Sequence, residues 1–204
     1  ANLSDDYLES AALEVDYFEK LIGDYPFSSF SIVSGPLPVG LAFSGMTYMG
    51  ENVLRLPFIR FTSLGHEVLH NWWGNGVKVD YKSGNWAEGL TTYMADYAFS
   101  QERNMHNAKR MRAEWLRDYA ALPPHRDQPV RSFISRSHDA SQIIGYNKVA
   151  FIFHMLSNKV GKMHFKQSIR RFWGQHKFQT ASWDDIQKIF EETSGLDLKV
   201  FFLL

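Results

Sequence analysis

Residues 62–74 read TSLGHEVLHNWWG. His66 and His70 stand four apart, with Glu67 directly after the first. On a helix, positions i and i+4 share one face, one turn apart. Two imidazoles so placed can bind one tetrahedral ion, and a neutral histidine suits zinc. From its place beside His66, Glu67 reaches a metal-bound water without ligating the metal, which is the geometry of a general base in peptide hydrolysis. The pattern carries that chemistry only if it lies on a helix. Phe61, Leu64, Val68, Leu69, Trp72 and Trp73 supply the apolar surface that buries one. The competing reading makes both imidazoles core residues bonded to backbone.

A third ligand separates the two readings. Residues 84–97 read GNWAEGLTTYMADY, and Glu88 falls early in the amphipathic helix they begin. Alone it reads as an acid favoured by the helix macrodipole. Beside His66 and His70 it completes three protein ligands and leaves the open position a catalytic zinc needs. The glycine-containing turns in between suit a helix–loop–helix return. Thr91 and Thr92 follow on the Glu88 face, where one could orient a ligand or bond its own backbone. Asp96 reads equally well as a solvated acid.

Working outward, periodicity predicts a helix over 4–22, a strand over 29–33 and a Gly/Pro loop over 35–40. Residues 41–49, LAFSGMTYM, read as one edge strand weakened by Gly45. Leu54–Pro57 and 77–81 read as short extended pieces, and 59–73 as the helix of the opening stretch. Further helices are expected over 86–101, 104–121, 141–159, 163–176 and 183–194. Asp139 reads as a capping or loop acid before the 141–159 helix. The remaining histidines, His106, His125, His138, His154, His164 and His176, are scattered and are assigned no role. Strands first and helices after make an α+β layout.

Composition narrows the partners. Lys+Arg and Asp+Glu both number 22, for a net charge of zero, and no basic run offers itself to nucleic acid or an anionic membrane. No apolar stretch approaches the roughly 18 residues of a membrane span. The absence of cysteine excludes thiolate ligands and a thiol nucleophile. The 204 residues suffice for one domain, and a start at Ala1 without Met leads us to expect residues 1–204 to be a single domain excised from a longer chain, its compartment left open.

HEVLHNWWGN followed by WAEGLTTY resembles the gluzincin peptidases of the aminopeptidase N family, over most of the chain. Tyr25-Pro26-Phe27 with SFSIV resembles the segment ahead of that family's substrate strand, SGMTYMG its Gly-x-Met-Glu-Asn strand, and GYNKVAFIFHML its Tyr-x-Lys-Gly helix start. The resemblance implies a thermolysin-like catalytic domain, with a small mixed sheet and an edge strand for the substrate. It implies one zinc ion held by His66, His70 and Glu88, Glu67 as general base and Tyr146 as oxyanion donor. It implies a peptide or protein substrate bound along Gly45, Met46 and Thr47, and additional flanking domains. Three departures stand out. Seventeen residues separate His70 from Glu88 where the family has one more. Thr47 replaces the glutamate that grips the substrate's free amine, with Glu51 a nearby substitute. Ala87 and Val149 replace the family's Asn and Gly. Exopeptidase and endopeptidase activity both remain open. The rival class is a zinc-containing binding or scaffold module without catalysis, against which Glu67 and Tyr146 both argue.

Overall fold

The computed structural model describes residues 3–56, 58–136 and 139–203. Pro57, His138 and the Asp139 side chain therefore lie outside the described residues. Helix α1 (Leu3–Leu21) carries Asp5 and Asp6 in its first turn and Lys20 in its last, matching the macrodipole, and buries Tyr7, Ala11 and Phe18. Strands β1 (Ser31–Gly35), β2 (Gly40–Phe43) and β3 (Met46–Gly50) form a mixed sheet in the order β1-β3-β2. The β1 pairing is parallel and the β2 pairing antiparallel.

The expected single edge strand over 41–49 is thus two strands. Gly45 has φ +73, the left-handed region that favours glycine, and it folds the segment into a hairpin. A Cβ there would meet the Ser29 carbonyl oxygen at 2.9 Å. Of the hairpin's two strands β2 lies at an edge of the sheet, and Met46 and Thr47 belong to the central strand. Of the expected extended piece at 54–57, Leu54 instead ends a short helix, α2 (Glu51–Leu54), with Glu51 in its first turn, and Arg55 and Leu56 follow in a turn.

A 3₁₀ turn (Ile59–Phe61) leads into α3 (Ser63–Leu69), which is shorter than the expected helix over 59–73. Asn71 Nδ2 donates to the Val68 carbonyl at 2.8 Å, and Asn75 Nδ2 donates to the His70 carbonyl at 3.0 Å, so side chains take over the last helical acceptors. Strand β4 (Lys78–Val79) pairs in parallel with β5 (Thr180–Ala181). The expected helix over 86–101 is α4 (Ala87–Thr91), a π turn (Thr92–Tyr97) and α5 (Ala98–Arg103). Helix α6 (Met105–Ala120) follows, its N-terminus capped by the Asn104 side chain. The expected helix over 141–159 is likewise α7 (Asp139–Gln142), a π turn (Ile143–Lys148) and α8 (Val149–Val160). Helices α9 (Lys162–His176) and α10 (Trp183–Ser194) complete the helical part, α10 opening on a Ser182–Asp185 capping box. Of the apolar tail, Leu198 and Phe202 are buried.

The core centres on Trp72, Trp73, Trp86 and Trp183, all fully buried. Trp73 packs on Phe172 at 5.7 Å between ring centroids and on Trp86 at 6.4 Å, which locks the turn after α3 against α9 and the start of α4. Glu14 of α1 lies beneath α3, its Oε1 3.2 Å from where a Gly65 Cβ would begin. Its Oε2 is buried and bonds no described residue. Burial pushes this carboxyl up to about 8, with Arg103 pulling the other way. The folded chain therefore holds a proton that the unfolded chain releases near 4.5, and Glu14 loses stability for the fold as pH rises between those values. Glu14→Gln is expected to stabilise the protein by about 1–3 kcal/mol at pH 9, with the gain shrinking as pH falls toward 5, as read from urea midpoints.

Candidate metal centre

Helix α3 presents His66, Glu67 and His70 from its C-terminal half, His70 being its C-cap. The chain reverses through Gly74, at φ +108, and a Trp73–Val77 bridge. That reversal brings α4 back with Glu88 as its second residue. Glu88 Oε2 stands 3.6 Å from His66 Nε2 and 3.3 Å from His70 Nε2. The ligand atoms of His66, His70 and Glu88 all lie within 4.8 Å of one another, and no other such group of three occurs among the described residues. A tetrahedral ion with bonds of about 2.0–2.2 Å needs ligand atoms about 3.3–3.6 Å apart. Both Glu88 spacings meet that requirement, despite the one-residue shortening between His70 and Glu88.

The far side of each imidazole is fixed. His66 Nδ1 lies 2.8 Å from Asp96 Oδ2, and His70 Nδ1 lies 2.9 Å from the Trp73 carbonyl oxygen. Both partners are acceptors, so each Nδ1 carries a proton and each Nε2 is the nitrogen left to face Glu88. Burial opposes charge on His66, but Asp96 and Glu88 outweigh it and lift its pKa well above the histidine range. Burial also opposes charge on His70, and there Glu88 turns the balance upward. Burial raises Glu88, yet His70 and His66 drive it far below the carboxylate range. The pocket thus favours positive charge between the two Nε2 atoms and Glu88. Two nitrogens and one carboxylate oxygen form a His₂Glu set, which fits a zinc-class ion.

Glu67 is not in this group. It faces the edge strand, where a Cβ on Gly40 would fall 2.6 Å from Glu67 Oε1. Burial pushes its carboxyl up, while His66 and His70 pull it down. Tyr146 stands on the second π turn, its ring stacked at 13° and 6.2 Å from His66. Burial first, and then the negative charge of Glu88, push its pKa far up, so the hydroxyl stays protonated. Gly145 makes the placement feasible, since a Cβ there would collide with Phe133 Cζ at 2.0 Å. Val149, where the resembled family has glycine, packs against Gly89, whose Cβ would lie 2.1 Å from Val149 Cγ1.

The cleft beside these groups is lined by Gly40, Leu41 and Ala42 of β2 and by Tyr81, Arg136 and Tyr146. The structure does not bring Gly45, Met46, Thr47 or Glu51 to its lining. Thr47 is fully buried in β3, its hydroxyl donating to the Leu41 carbonyl at 3.3 Å. The Gly45 amide donates to Asn71 Oδ1, Met46 is half-buried, and Glu51 is exposed at the start of α2. Thr92 bonds the Glu88 carbonyl of its own helix, so it orients no ligand. Sequence reasoning left Asp96 undecided between a ligand-orienting residue and a solvated acid, and missed Asn71 as a tie to the hairpin and Gly40 and Arg136 as cleft residues.

Residues 61–203 match the model of the peptidase family M1 domain. Over 146 residues the chain is 27% identical to aminopeptidase N of Escherichia coli strain K12, covering 68% of this chain and 16% of that protein. It is 25% identical over 140 residues to the mitochondrial aminopeptidase 2 of Saccharomyces cerevisiae, covering 66% and 15%. The chain thus spans about a sixth of the length of these curated relatives. The fold matches a crystal structure of an M1 zinc metallopeptidase from Deinococcus radiodurans with a TM-score of 0.74 at 23% identity, covering 94% of this chain and 42% of that one. Native yeast LTA4 hydrolase aligns with a TM-score of 0.70 at 16% identity, covering 95% and 34%. With the family model matched over more than half of its residues, this chain belongs to peptidase family M1.

Proposed function

We propose that residues 1–204 form the catalytic domain, thermolysin-like in arrangement, of a zinc metallopeptidase that hydrolyses peptide bonds. The observation that carries this reading is the convergence of His66 Nε2, His70 Nε2 and Glu88 Oε2, with Glu67 beside them unligated. The names of the relatives, aminopeptidases and zinc metallopeptidases, support it. The zinc, held by His66, His70 and Glu88, would supply Lewis-acid polarisation of the scissile carbonyl and a water acidified toward neutrality.

The chain's own residues do the rest. Strand β2 is unpaired on its outer edge and lies against α3, so an extended substrate can add to it through backbone hydrogen bonds. Glu67 takes the proton of the attacking water and delivers it to the leaving amine. Tyr146 donates its hydroxyl to the oxygen that becomes negative as the carbonyl turns tetrahedral, an interaction worth about 2.7–4 kcal/mol for a donor of this kind. Asp96 holds His66 in the tautomer and orientation that aim Nε2 at the metal.

The purified full-length protein is expected to contain about one zinc per chain and to lose peptide hydrolysis on chelation, regaining it with zinc. A zinc-free preparation with undiminished turnover would overturn the assignment. Comparing one peptide with a free and an acetylated N-terminus then separates exopeptidase from endopeptidase action. Asp96→Ala is expected to weaken zinc binding by about 10–100-fold, measured by competition with a chelating dye.

A further inference from the structure

Arg136 lines the same cleft as Tyr146 and as Gly40, Leu41 and Ala42 of the edge strand. Among the described lining residues it is the one side chain of permanent positive charge. It is exposed, so its guanidinium is open to a ligand. Its field reaches Tyr146, where it favours negative charge. The two carboxylates of the lining, Glu67 and Glu88, face the proton-transfer and metal positions, while Thr47 and Glu51 lie elsewhere. Among the described lining residues a substrate ammonium meets no third carboxylate and does meet a cation. A substrate carboxylate meets a planar fork of N–H donors suited to two parallel hydrogen bonds.

We propose that Arg136 is a specificity-determining residue that binds a carboxylate of the peptide, carried by an acidic side chain or by the terminal carboxyl. The cleft then selects acidic over neutral peptides. This deepens the peptidase reading and rests on it for the nature of the ligand.

The test is calorimetric titration of the zinc-loaded full-length protein carrying Glu67→Gln, so that bound peptide persists. The probes are one peptide with Glu or Gln scanned through its positions, each made with a free or amidated C-terminus. The best carboxylate peptide is expected to bind about tenfold tighter than its amide isostere, one charge-assisted pair in a partly exposed site. Arg136→Gln is expected to close that gap, Arg136→Lys to restore part of it, and added salt to narrow it. A gap that follows the Glu scan identifies a side-chain carboxylate, and one that follows amidation identifies the terminal one. Equal affinity for acid and amide, a gap that persists in Arg136→Gln, or no affinity for any carboxylate peptide would each overturn the proposal. Turnover by the wild-type protein reads the peptidase assignment separately. Discrimination without hydrolysis sinks that assignment and leaves Arg136 its role, whereas hydrolysis without discrimination does the reverse.

Discussion

Glu67→Gln is expected to lower peptide hydrolysis by about 10²–10⁴-fold, the usual contribution of a positioned general base, while zinc stays bound. The substitution keeps the shape of the side chain and removes its capacity to accept a proton. Glu67 is not among the convergent ligand atoms, so the amide leaves His66, His70 and Glu88 in place. Its partly buried position raises its affinity for a proton, which brings it closer to the pH at which a base works best. Turnover at saturating peptide and zinc content by atomic emission, measured on the same sample, check both halves. Activity within tenfold of wild type would remove Glu67 from the mechanism.

Gly40→Val is expected to cost at least about 100-fold in kcat/KM without loss of zinc or of thermal stability. A Cβ at position 40 would sit 2.6 Å from Glu67 Oε1, inside van der Waals contact. Either the carboxylate turns aside or the edge strand lifts, and a shift of about 1 Å in a reacting group costs on the order of 10²-fold. The branched side chain adds strand propensity at an exposed edge, so folding itself is not burdened. Peptide kinetics beside a melting curve decide the matter, and unchanged kcat/KM would show that the strand does not abut the working carboxylate.

The helices were legible because each has a long apolar period with recognisable ends, such as Asn104 before α6 and Ser182 before α10. The convergence of His66, His70 and Glu88 was legible because the two histidines are four residues apart, and Glu88 follows a turn-rich return. The hairpin at 40–50 was not. LAFSGMTYM alternates well enough for one strand, and only the left-handed Gly45 divides it. Reading it unbroken moved the edge from Gly40–Phe43 to Thr47 and so misplaced the substrate side of the cleft. Asp96 was hidden by helix geometry. At 3.6 residues per turn, position 96 lies about 80° around the helix from position 88. The wider π turn over Thr92–Tyr97 advances less per residue and returns Asp96 to the face of Glu88. Nothing in residue identity announces that extra residue in the turn.

One buried carboxamide gives the cleft a fixed gauge. Asn71, fully buried directly after His70, accepts the Gly45 amide at 2.9 Å and the Tyr25 hydroxyl at 3.1 Å, and donates to Val68 at 2.8 Å. The bend of the hairpin and the end of α3 are therefore parts of one rigid bracket. Sliding the hairpin away from the end of α3 breaks the Gly45–Asn71 hydrogen bond, at about 0.5–1.5 kcal/mol. An arriving extended chain finds a slot already set to its width, so little ordering of this wall remains to oppose its binding.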